Sequence, residues 1–186
     1  MIGPGTDVDA EELTSSRADL LYGVSFTYAV AFAGLLASAV VHEGLHAVLH
    51  ILLGGELRPC GLGPFGISNG RLQTCYATPG SPVNALLTPV IVSALGLVAM
   101  LVAPRLDPPP VRWGVFAAGC YVWGAQALYS MGSFVPPTVT DEGVYYTGDG
   151  VEALEAFGLV AVLPGALLLT LGSFVLVARM VDGERL

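Results

Sequence analysis

Four apolar stretches, each long enough for a bilayer crossing, limit what this chain can become: about Leu20 to Leu53, Pro82 to Ala103, Trp113 to Met131 and Leu154 to Ala178. A helix needs roughly 20 apolar residues to cross the hydrocarbon layer, where its backbone polar groups must be satisfied within the segment. Hydrophobic residues make up 54% of the chain and charged residues 12%. A soluble domain carries about 25% charged residues. The expectation is therefore an all-α integral membrane protein, a bundle of about four transmembrane helices. The first stretch exceeds one crossing, so it must tilt, project, or break near Gly34. Pro82 suits a first helical turn, and Pro164-Gly165 is expected to kink the fourth helix.

The remaining segments fit one membrane-embedded domain over residues 20–180, with a polar acidic tail at 1–19 and a short tail at 181–186. The start has no basic region of a secretory leader, so the first helix is expected to serve as its own insertion signal. In the Gly-rich segment from Gly54 to Gly80, Gly66-Ile67-Ser68 and Arg71-Leu72-Gln73 alternate as a short β-hairpin does. Pro104 to Arg112 reads as a stiff turn on the opposite side. Four spans put both termini on one side, with Arg17, Arg105, Arg112, Arg179 and Arg185, against Arg58 and Arg71 on the other. The positive-inside rule then places the termini in the cytoplasm.

All seven basic residues are arginine, against fifteen Asp and Glu. Nucleic acid, which demands a basic face, is excluded as a partner. The balance suggests the cell membrane of a prokaryote with a high-GC or salt-adapted proteome. Cys60, Cys75 and Cys120 are an odd number without a Cys-x-x-Cys pair. They read as small buried residues, with a Cys60–Cys75 bridge or metal pair as the alternative.

Within the first stretch lies His42-Glu43-Gly44-Leu45-His46. Four residues along a helix give about 6 Å of rise and roughly 40° of turn. Both imidazoles can thus reach one zinc ion, with Glu43 placed to take a proton from its water. Ionisable groups at such a depth cost a few kcal/mol to insert and mark function. The plain alternative, a chance string of satisfied core histidines, must explain why His42, His46 and His50 all fall in nine residues. His50 lies about 12 Å along the helix from His42 and cannot easily join it. A third ligand must come from elsewhere. Among Asp141, Glu142, Asp149 and Glu152, Asp141 is favoured because two prolines stiffen its approach; the plain reading of each is a solvated loop acid.

Three motifs in order make the chain resemble the site-2 protease family of intramembrane zinc metalloproteases. They are the His-Glu-x-x-His string near the end of a membrane helix, Gly80-Ser81-Pro82-Val83-Asn84 opening the next, and Ser133-Phe134-Val135-Pro136-Pro137-Thr138-Val139-Thr140-Asp141. The last two are similar to the family's Gly-Pro-x-x-Asn and Asn-x-x-Pro-x-x-x-x-Asp-Gly patterns. Ser81 is inserted in the second. Ser133 stands for Asn in the third, and Glu142 precedes Gly143. The resemblance implies a divergent zinc endopeptidase acting on membrane-spanning substrates in the bilayer. His42, His46 and Asp141 would bind Zn2+, Glu43 would be the general base, and Asn84 would bond the substrate or the developing oxyanion. Asn84 as a helix-packing amide is the alternative for that residue. For the whole protein the alternative is a non-proteolytic membrane protein with a structural or regulatory zinc site, or a metal-free anchor.

Overall fold

The computed structural model describes residues 10–68, 71–132, 137–140, 143–146 and 148–181. Helix α1 (Ala10–Leu52) is followed by strands β1 (Phe65–Ser68) and β2 (Arg71–Thr74), helices α2 (Pro82–Val102) and α3 (Pro109–Ser130), strands β3 (Pro137–Thr140) and β4 (Gly143–Tyr146), and helices α4 (Asp149–Phe157) and α5 (Val162–Val181). Three segments, Arg17–Leu52, Pro82–Arg105 and Asp149–Arg179, are long and apolar enough to cross a membrane.

Helix α1 runs unbroken through Gly34 for 43 residues, about 65 Å at 1.5 Å per residue. A helix of that length would have to tilt in a bilayer or project from it. Gly34 is a contact rather than a hinge: a Cβ there would lie 2.8 Å from Ala118 Cβ. The helix stops where Gly54 turns to φ +84° and Gly55 N–H closes on His50 O at 2.9 Å. Left-handed glycine closes a helix in this way because it carries no Cβ penalty.

Helix α2 starts as the sequence suggests, with Pro82 in the first turn and Ser81 Oγ accepting from Val83 N–H at 3.3 Å. Helix α3 begins at Pro109, four residues before the expected Trp113. Early helical positions do not require an N–H, so the proline run is absorbed into the first turn. Although expected as the third span, α3 is not among the three segments apolar enough for that role. It is the central helix, packed against α1, α2 and α5, and small residues take the place of large apolar ones. A Cβ on Gly119 would come 2.9 Å from Gly96 O, and one on Gly114 would come 2.8 Å from Thr27 O. Gly172 of α5 lies against the Trp123 ring, whose Nε1–H donates to Leu168 O at 2.7 Å.

The fourth stretch breaks earlier than Pro164. Gly158 adopts φ +60° and a 3-10 turn covers Gly158–Ala161; Pro164 sits in the first turn of α5, where its missing N–H costs nothing. The outward faces of α1 and α5 carry exposed Leu36, Val40, Val48, Leu163, Leu167 and Phe174, which is consistent with a membrane protein.

The β1–β2 hairpin pairs antiparallel from Phe65↔Thr74 to Ser68↔Arg71, as the alternation predicts. A second hairpin, β3–β4, pairs Pro137↔Tyr146 to Thr140↔Gly143 and has no counterpart in the sequence reading. Cys60 and Cys75 are not separate buried residues: they form a disulfide, Cα–Cα 6.3 Å.

Candidate metal centre

The end of α1, the start of α2 and the start of α4 meet on one side of the bundle. The helical spacing points His42 and His46 the same way, and α4 delivers Asp149 to them. Its Oδ2 lies 3.2 Å from His42 Nε2 and 2.9 Å from His46 Nε2, and the two imidazole nitrogens are 3.2 Å apart. The three side chains are 8–18% exposed. This group could hold a metal ion.

Asp149 reaches that position because α4 abuts the end of α3. A Cβ on Gly150 would run into Tyr129 O and come 2.9 Å from Gly132 Cα; only glycine lets the helices approach so closely. Asp149 N–H donates to Tyr129 Oη at 3.3 Å. The carboxylate stands in the first turn of α4, where the helix dipole favours negative charge.

Asn84, at 2% exposure, fixes the orientation of His46. Its Nδ2 donates to His46 O at 3.0 Å. That assignment turns Oδ1 toward His46 Nδ1, 3.2 Å away. An amide oxygen can only accept, so Nδ1 carries the proton and Nε2 presents a lone pair. Thr88 hydroxyl donates to the same Oδ1 at 3.0 Å. The lone pair on His46 Nε2 then faces a carboxylate oxygen at 2.9 Å. Two acceptors so close repel unless a cation, a proton or a metal ion, lies between them. His42 Nδ1 is buried without a hydrogen-bond partner among the described residues.

Glu43 lies beside the group without belonging to it. Its Oε2 accepts from Thr74 N–H at 2.6 Å, and the Thr74 hydroxyl shares its one proton between Glu43 O at 2.7 Å and Oε2 at 2.9 Å; Oε1 makes no hydrogen bond among the described residues. His50, 1% exposed, is occupied elsewhere, its Nε2 lying 3.0 Å from Thr78 Oγ1 and 3.2 Å from Glu56 O. It ties the end of α1 to the loop after β2. Tyr76 stacks at a tilt on His50, ring centroids 4.4 Å apart. Burial, reinforced by the charges of Asp149, Glu43 and Glu152, pushes the Tyr76 phenol up, so it stays protonated.

Of the residues singled out from sequence, His42, His46, Glu43 and Asn84 converge here. Asp141 lies outside the described residues. Asp149, ranked below it, is the carboxylate found with the histidines. The signal for it was present, since Asp149-Gly150 is an intact Asp-Gly pair opening an apolar helix. Thr74, Thr88 and Tyr129 had none, because their contacts span 20 to 42 residues. No family model, curated protein or solved structure matches the chain.

Proposed function

We propose that the protein is a zinc-dependent intramembrane endopeptidase of the site-2 protease type, cleaving membrane-spanning substrates. The observation that carries this reading is the triangle of His42 Nε2, His46 Nε2 and Asp149 Oδ2 beside Glu43, on helices apolar enough to cross a membrane. Zinc bonds to N and O of about 2.0–2.1 Å give a tetrahedron whose edges are about 3.3–3.4 Å. The three edges here, 3.2, 3.2 and 2.9 Å, resemble one face of it, which leaves a fourth direction for water or substrate. Asp149-Gly150 also supplies the Asp-Gly of the family pattern directly. A fourth span through α3, flanked by the others, belongs to the same proposal.

In the reaction, His42, His46 and Asp149 would hold the ion, with His46 kept in register by Asn84 and Thr88. When bound, zinc would polarise the scissile carbonyl and lower the pKa of its water toward neutrality. Glu43 takes the proton of the attacking water on Oε1 and passes it to the leaving amine nitrogen. The β1–β2 hairpin beside α1 offers an edge on which an unwound substrate segment can pair. Cleavage of a membrane-spanning peptide by the purified protein is expected to stop on chelation and to return with zinc but not magnesium. A zinc-loaded protein that cleaves no such peptide leaves the structural zinc clasp as its function.

We further place the centre on the extracytoplasmic side. Disulfides persist in oxidising compartments, and Cys60–Cys75 lies on the same side of the bundle as the histidines, opposite the arginine-rich side. An impermeant maleimide on intact cells is expected to label Cys60 and Cys75 only after an impermeant reductant; labelling confined to lysed cells would reverse the orientation.

A further inference from the structure

On the endopeptidase reading, Glu43 must be held at a fixed angle to the attacking water, and its own helix cannot do this alone. A glutamate side chain has three rotatable bonds. The strand β2 supplies the restraint. Thr74 donates its N–H to Glu43 Oε2 at 2.6 Å, and its hydroxyl lies 2.9 Å from the same oxygen and 2.7 Å from Glu43 O. The N–H on Oε2, with the single hydroxyl proton shared between Oε2 and Glu43 O, leaves Oε1 as the proton acceptor. Thr74 itself is 8% exposed, so water competes poorly for these bonds.

The hairpin that carries Thr74 is only two strands of four residues, and such a unit is marginal on its own. What anchors it is the neighbouring residue. Cys75 is joined to Cys60, its N–H donates to Pro64 O at 2.9 Å, and its carbonyl accepts from Arg58 N–H at 3.0 Å. Gly66 on β1 makes room for the bridge: a Cβ there would lie 3.1 Å from Cys60 Sγ and 3.4 Å from Cys75 Sγ. The covalent link thus ends one residue from the group that grips Glu43.

We infer that Thr74 is the positioning residue for Glu43 and that the Cys60–Cys75 bridge holds Thr74 in place, so that cleavage depends on a closed bridge remote from the metal ligands. The test uses the full-length zinc-loaded protein in nanodiscs, with a membrane-spanning peptide as substrate. Thr74→Val keeps the N–H and removes the hydroxyl. Loss of a hydrogen bond to a charged group is expected to lower kcat roughly 10- to 100-fold. KM should stay within about twofold, the pattern of a lost transition-state contribution, with zinc content unchanged. Thr74→Ser should recover most of the rate. The paired change Cys60→Ser with Cys75→Ser should lower kcat in the same way. Independently of activity, the Thr74 amide should exchange with solvent about tenfold or more faster in the bridge variant and in Glu43→Ala.

Wild-type kcat in Thr74→Val or in the bridge variant would overturn the inference, as would a serine variant no better than valine. An inactive Glu43→Gln beside fully active Thr74 variants would leave the endopeptidase reading standing and remove this one. If the zinc-loaded wild type cleaves nothing, the endopeptidase reading falls. The exchange measurement then decides alone whether Thr74 and the bridge fix Glu43: equal exchange in all variants overturns it.

Discussion

Asp149→Ala is expected to strip the protein of its metal, while Asp141→Ala leaves one ion per chain. The argument is geometric. Asp149 Oδ2 stands 2.9 and 3.2 Å from the two imidazole nitrogens, held there by the packing of Gly150 against the end of α3. Outer-shell partners of a metal ligand contribute about 10- to 100-fold in affinity, so removing a ligand should weaken binding by more than about 100-fold. His46→Ala should do the same, and Asp149→Asn should retain the shape of the site but lose the anionic donor. Metal content of the purified variants, read against a competing chelator, checks all three. Retention of metal by Asp149→Ala with loss in Asp141→Ala would return the third ligand to the residue that motif spacing favours.

That contest shows where the sequence could be read and where it could not. His42 and His46 are legible because a four-residue helical step is local. The stretches that became α1, α2 and α5 are legible because each is a continuous apolar run long enough to cross a membrane. Asp149 is harder, because what brings it to the histidines is the close contact of Gly150 with Tyr129 O and Gly132, a tertiary fact. Counting residues from Pro136 leads to Asp141, whereas the Asp-Gly pair at Asp149 follows strand β4. The same limit appears in the helices. Proline and glycine read alike as breakers in sequence, yet Gly34 is a contact point with Ala118, Pro164 is a harmless first-turn residue, and the true break is Gly158. A cysteine pair separated by 15 residues gives no local sign of pairing either; the hairpin between them brings the two sulfurs together.

The largest effect on rate without loss of metal is expected from Glu43→Gln. Glutamine keeps the length of the side chain, and its amide oxygen can still accept from Thr74 N–H. The fold and the ion should therefore be retained. What disappears is a group able to take a proton, and general acid–base catalysis by a positioned side chain contributes about 10²- to 10⁴-fold. Glu43→Ala is the poorer probe, since it also leaves the buried Thr74 N–H without its acceptor, at a cost of about 1–3 kcal/mol in stability. The measurement is cleavage of a membrane-spanning peptide by wild type and Glu43→Gln at matched zinc content. A large fall in kcat with zinc retained supports hydrolysis at this centre. Cleavage at the wild-type rate sinks Glu43 as the base. If neither protein cleaves and the variant keeps the biological role, the three ligands serve as a clasp between α1 and α4, a function that requires His42, His46 and Asp149 but places no demand on the proton chemistry of residue 43.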